Sequence, residues 1–307
     1  MRRLSLALAA VATAAVLAGC SVVEQVTGTA DTTTSTQTVD ASTLTPDTVL
    51  AANEDATTVN DDEWSLDDAV DVALSGSTAT TTADGVSVDA GTVTISAAGV
   101  YRLSGTLAGQ VVVDAPEDAL VVLVLDDAEI SSATSAAISV LSADDVGVYL
   151  ADGSTNALSD TASYAEDADV NAALFSEADL TISGTGSLTV AGNGNDGITS
   201  EDDLVILSGT ITVTARDDGV RGKDSLTVEG GTIDVTSGGD GFKADNSEED
   251  TRGYMDLRGG TITIAAGDDG LDAVTDIVIT GGQLTVTESV EGIEAAQLLI
   301  ADGTVDV

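Results

Sequence analysis

No histidine occurs in the chain, so the commonest general base and metal ligand is missing, and proton transfer would fall to carboxylates, Lys or Arg. Cys20 is the single cysteine, which excludes an internal disulfide. Aromatic platforms, the usual sugar-stacking device, are scarce: one Trp, two Phe and four Tyr, with Trp64 near the N-terminal third. Nine basic residues face 53 acidic ones, a formal net charge of −44. That field disfavours nucleic acid and anionic membrane surfaces as partners and favours divalent cations, unless the acidity serves only solubility. The longest early apolar run, 16 residues from Leu4 to Gly19, is too short for a spanning helix.

Glycine is present in number, 32 residues, and it is periodic. The phrases Asn195-Asp196-Gly197-Ile198, Asp217-Asp218-Gly219-Val220, Gly239-Asp240-Gly241-Phe242, Asp268-Asp269-Gly270-Leu271 and Val290-Glu291-Gly292-Ile293 recur at steps of 22, 22, 29 and 22. A second series, Gly186, Gly209, Gly231, Gly260, Gly282 and Gly303, keeps nearly the same steps. The long step is one period plus a seven-residue insertion within Glu248 to Tyr254. A fixed period of this size means a solenoid whose units bury apolar surface only against their neighbours.

Within a period the apolar residues alternate in short bursts separated by Gly, Asp and Ser, which is a strand pattern. From Gly219 to Gly241, Val220, Leu226, Val228, Ile233 and Val235 point inward, while Arg221, Thr227, Glu229, Thr232, Asp234 and Thr236 point outward. Three short strands with tight corners fill one coil. The expected fold is therefore all-β, a right-handed parallel β-helix of about 22 residues per coil over residues 65–307. It is expected to be C-terminally incomplete, because the sequence stops inside a repeat strand at Thr304 to Val307.

Met1-Arg2-Arg3 and the following apolar run read as a secretion signal over residues 1–20. Its end, Leu17-Ala18-Gly19-Cys20, resembles the bacterial lipobox, and that resemblance implies lipidation of Cys20, with the membrane met only through the lipid. An acylated Cys20 leaves no thiolate for catalysis or metal binding. Residues 21–64, rich in Thr, Ser, Ala and Asp, read as a flexible spacer; roughly 40 such residues reach on the order of 35 Å. Loss of the signal leaves seven basic and 53 acidic residues, a net of −46. The expected location is extracytoplasmic, lipid-anchored at the bacterial cell surface, as a monomer.

Stacked coils lie about 4.8 Å apart, so residues at one phase form a column. Asp196, Asp218, Asp240, Asp269 and Glu291 make one column, and Asn195, Asp217 and Asp268 its neighbour. Two carboxylates at that distance repel by about 1 kcal/mol in water and about 3.5 at a dielectric near 20. Calcium is the natural neutraliser, with Asp196, Asp217, Asp218, Asp240, Asp268 and Asp269 as candidate ligands and a bridge expected near Asp217, Asp218 and Asp240. The alternative is that each Asp caps a turn through backbone amides.

Six of the basic residues lie between 216 and 258. Arg221, Lys223 and Lys243, with an exposed Tyr254 in the insertion, read either as surface salt bridges or as a strip that binds an acidic sugar. A long loop on a regular repeat marks the working face. Two further columns, Ser187, Thr210, Thr232, Thr261, Gln283, Thr304 and Thr189, Thr212, Asp234, Thr263, Thr285, Asp306, could lie along a polysaccharide or ice lattice or simply suit strands.

The run Gly99-Val100-Tyr101-Arg102-Leu103-Ser104-Gly105-Thr106-Leu107, with Val113-Asp114-Ala115, Leu123-Val124-Leu125-Asp126-Asp127, Ala136-Ala137-Ile138, Asn156-Ala157-Leu158 and the Asp-Gly coils, resembles bacterial surface lipoproteins bearing a calcium-associated carbohydrate-binding β-helix domain of polysaccharide-lyase-like shape. The resemblance covers roughly residues 68 to 307. It implies binding of plant-wall polymers such as cellulose and polygalacturonate. Asp272 and Glu294 depart from it by continuing the column of Arg221 and Lys243 with acids. Two other readings stay open: a pectate-lyase-like elimination using calcium with Lys243, Lys223 or Arg221 as base, and a structural adhesin or ice-binding solenoid.

Overall fold

The computed structural model describes residues 44–165 and 168–307. The expected signal, Cys20 and the spacer as far as residue 43 lie outside them. Among the described residues the regular structure is 26 strands, a short α-helix Pro46–Leu50 and a 3-10 turn Leu66–Asp68. No described helix is long and apolar enough to cross a membrane.

All the strands belong to one sheet. Two early hairpins, Val70–Gly76 with Thr78–Thr81 and Val86–Asp89 with Thr92–Ile95, pair antiparallel. The pairings that follow are parallel and fall into three sets. The first runs Asp145–Leu150, Asp179–Gly184, Asp203–Ile206, Ser225–Val228, Tyr254–Leu257. The second runs Ser187–Gly192, Thr210–Ala215, Thr232–Thr236, Thr261–Ala265, Gln283–Glu288, Thr304–Asp306. The third runs Ala172–Ser176, Asp196–Ser200, Val220–Gly222, Phe242–Ala244 and on to Leu271.

Alternation of side chains fixes which residues meet. In Thr232–Thr236, Ile233 and Val235 are buried and the three polar residues are exposed. Like then stacks on like: Leu180, Leu204, Leu226, Met255 and Ile277 pair in turn, as do Leu188, Ile211, Ile233, Ile262 and Leu284. Both rows belong to one continuous apolar core. Each such side chain contributes about 1.5–3 kcal/mol when fully buried. The phrase glycine is dictated by close approach: a Cβ on Gly219 would strike Val235 and come 2.6 Å from the carbonyl oxygen of Gly241. Gly231, at φ +94, holds a corner that a side chain would strain.

The outward residues of the first set are not all in solvent. Thr181, Val205, Thr227, Asp256 and Val278 pair in one row and are buried. The cover is the segment after the helix, part of the expected spacer. Asn53 donates to Asp276, Tyr254 donates to the Glu54 carbonyl, Thr57 N donates to Asp203, and Val59 N donates to Thr181 Oγ1. Val59 enters an apolar patch with Val100, Val122 and Val124, and Trp64 meets Tyr149 edge to face at 5.1 Å. Residues 53–64 thus form a strap that crosses successive strands of this face.

Candidate functional site

The third strand set carries the acid column. Its phrase carries Asp-Gly in the first four copies, and each of these Asp residues reaches the backbone of the next repeat rather than its own turn. Asp218 N donates to Asp196 Oδ1 at 3.1 Å across 22 residues, Asp240 N to Asp218 Oδ1 at 2.8 Å, Asp269 N to Asp240 Oδ1 at 2.9 Å, and Glu291 N to Asp269 Oδ1 at 3.1 Å. One oxygen of each carboxylate therefore caps the following repeat, which leaves the other to be matched.

Lys243 provides that match in the middle of the column. Its Nζ lies 3.0 Å from Asp218 and 2.7 Å from Asp240, at the place expected for a bridging calcium. Burial alone would lower its pKa, but the hydrogen bond and charge of Asp240, with those of Asp218, raise it above the ordinary lysine value. Burial still pushes the Asp218 carboxyl upward. Asp196 has no lysine: it accepts from Thr199 Oγ1 at 3.1 Å and from Asn195 Nδ2 at 3.0 Å. Burial, then the charge of Asp218, pushes it up to about 7. Asp217 and Asp268 are exposed beside the column.

Arg221 and Lys223, the other cations of the expected strip, are equally committed. Arg221 pairs with Glu201 at 2.6 Å and Asp245 at 3.0 Å, and Lys223 shares Glu201 at 3.1 Å. Tyr254, expected in the open, is 5 % exposed because the strap lies over it, and burial pushes its hydroxyl up to about 12. The insertion around it ties down the strap: Arg252 binds Asp224 and Glu54. The expected basic strip is thus largely internal pairing. Beyond Lys243 its column turns acidic, as Lys243 pairs with Asp272 and Asp272 with Glu294. Asp269, Asp272 and Glu294 each bring a carboxylate oxygen within 4.8 Å of the others; Asp179, Asp202 and Asp203 do the same under the strap.

Two adjoining cavities of about 500 Å³ each open on the column. The first is lined by Asp169, Glu177, Asp196, Asp218, Lys243 and Asp245. The second is lined by Tyr164, Gly194 and Arg216, and both share Asn171, Asn195 and Asp217. Tyr164, Asn171 and Arg216 were not among the candidates. The signal for Tyr164 and Asn171 was a second insertion: Asp160 meets Asn193 across 33 residues where the later repeats need 22. The extra length places Asp160 and Tyr164 beside the groove. Asp160 accepts from Asn193 N and Gly194 N, and the Tyr164 hydroxyl sits 2.9 Å from Asp160 Oδ2.

This strand-built scaffold is similar to that of a solved polysaccharide lyase-like protein. The solved polysaccharide lyase-like protein from C. thermocellum, a gadolinium derivative, superposes with a TM-score of 0.75 at 38% identity over 77% of this chain and 98% of that one. A carbohydrate-binding domain-containing protein of Acetivibrio thermocellus is 41% identical over 137 residues, 43% of this chain and 48% of that protein, so the chain spans about half the length of this relative. The profile of the carbohydrate-binding domain-containing proteins matches residues 89–307, and the chain belongs to that family.

Proposed function

We propose that the chain is a lipid-anchored, extracytoplasmic polysaccharide-binding protein in which the three strand sets wind as a right-handed parallel β-helix. The groove beside Asn171, Asn195 and Asp217 carries this reading: it is open, polar, and with two cavities of about 500 Å³ has room for more than one sugar. Plant-wall polymers, polygalacturonate or cellulose, are the ligands this reading names. Membership of a carbohydrate-binding family supports it.

Calcium assistance is part of the proposal, with a changed address. Asp218 and Asp240 do not fit a divalent ion while Lys243 lies between them. Asp269, Asp272 and Glu294 offer oxygens only, the donor set a hard cation takes. The solved neighbour is a gadolinium derivative, and lanthanides share that preference for oxygen. When bound, calcium would supply positive charge where the column is most acidic.

Binding is favoured over elimination by one observation. Lys243 is held protonated by two carboxylates, Arg221 is likewise raised by Asp245 and Glu201 against the opposing effect of burial, and Lys223 is tied to Glu201 at 3.1 Å, so none of the three is poised as a base. Sedimentation with insoluble cellulose and affinity electrophoresis in polygalacturonate, with and without chelator, test the reading. Retention without unsaturated, ultraviolet-absorbing product supports a binding module; no retention on either polymer overturns it.

A further inference from the structure

We propose that the cavity bounded by Tyr164, Asn171, Gly194, Asn195, Arg216 and Asp217 is a subsite for one anionic sugar residue, with Arg216 as the group that recognises its carboxylate or sulfate. This rests on the polysaccharide-binding reading and assigns the end of the groove at which negative charge is accepted.

Arg216 differs from every other described basic residue. Arg102 pairs with Asp71, Arg221 with Glu201 and Asp245, Lys223 with Glu201, Lys243 with Asp218 and Asp240, Arg252 with Asp224, and Arg258 with Asp256 and Glu229. Among the described residues Arg216 makes no ion pair, although the chain has 53 acidic residues to nine basic ones. It is exposed and lines the second cavity. An exposed guanidinium offers two parallel N–H donors, the geometry that grips a carboxylate or sulfate in bidentate fashion.

The rest of the lining suits a sugar ring. Tyr164 is the aromatic member, and its position is built in: the hydroxyl is fixed at Asp160, and the ring lies on Gly194, where a Cβ would come 2.7 Å from it. Its apolar face can take the C–H face of a pyranose. The Asn195 and Asn171 amides and the Asp217 carboxylate line the same space and match ring hydroxyls. The adjoining cavity holds Arg221 and Lys243, but both are already paired with carboxylates, and with Asp169 and Glu177 beside them its lining stays net negative, which disfavours a second anion there and sets the charged sugar at the Arg216 end.

The test uses the full chain and isothermal titration with trigalacturonate, a sulfated galactose oligomer and cellotriose, on the wild type, Arg216→Gln and Arg216→Lys. Arg216 is exposed, so both variants should fold, and melting curves check this. Arg216→Gln should weaken the anionic ligand by about tenfold or more and leave cellotriose unchanged, with Arg216→Lys in between. The preferred oligomer distinguishes carboxylate from sulfate. Equal affinity of wild type and Arg216→Gln for an anionic oligomer that both bind overturns the subsite while the polysaccharide reading stands. Binding of polygalacturonate in electrophoresis with no oligomer bound by the wild type also overturns the subsite. Failure of all glycans with the wild type overturns both.

Discussion

A carboxylate buried beside others must either keep a proton or find a counter-charge, and the acid column contains both solutions. Asp196, 2 % exposed, keeps the proton: its pKa is 3.8 in the unfolded chain and about 7 in the fold. Between those values the folded state holds a proton that the unfolded chain has released, so this residue's contribution to stability falls as pH rises and is lowest above about pH 7. Asp196→Asn should therefore raise the melting temperature of chelator-treated protein at about pH 8 and change it little near pH 4. An equal shift at both values would show that proton uptake at Asp196 is not involved. Asp218 and Asp240 take the other solution, through Lys243. Lys243→Met keeps the stem and removes the charge, so it should cost about 2–4 kcal/mol in urea unfolding, allowing for partial exposure. Adding Asp218→Asn and Asp240→Asn should recover much of that loss, because the stranded charges go with the lysine.

At the scale of elements, the strap is the part of the described chain that composition hides. Residues 53–64 include Asn53, Thr57, Val59 and Trp64 without periodicity, so they read as spacer; they bind by single contacts to strands far along the chain, such as Thr57 to Asp203 and Val59 to Thr181. Val59→Asp would put a charge among Val100, Val122 and Val124, so hydrogen exchange should rise over residues 53–64 and at the Thr181 and Thr227 row while the Thr232–Thr236 strand stays protected. Uniform exchange along the chain would mean the strap is no separate element. The strands themselves were legible. Alternation and the 22-residue step placed Thr210 beside Thr232 and Arg221 beside Lys243, as the registers show. Partner choice was not legible: which acid takes Lys243, or that Tyr254 lies under Glu54, depends on contacts between repeats and strap that no local pattern encodes. Of the site, the acid column could be read because it repeats, whereas Arg216 occurs in one repeat only and Tyr164 shows in the sequence only as part of a longer step between repeats.

For the whole molecule, a formal charge of −44 makes self-repulsion a property of every surface, and any salt relieves part of it. At physiological ionic strength the screening length is about 8 Å, so charges one repeat apart still interact. A rise in melting temperature with added calcium is thus not enough to show a site; it must exceed the rise from sodium chloride at matched ionic strength. The Asp269, Asp272 and Glu294 group is where such an excess is expected, since its three oxygens converge within 4.8 Å. Proximity to Glu291 and Asp269 raises the pKa of Glu294, so neighbouring negative charge already opposes its ionisation. A bound divalent ion would reverse that cost. Asp272→Asn with Glu294→Gln should remove the calcium-specific part of the shift, leave the sodium chloride response nearly intact, and raise the melting temperature without calcium by relieving the repulsion. If the double variant keeps the full calcium excess, the ion binds elsewhere, and Asp179, Asp202 and Asp203 under the strap become the group to substitute next.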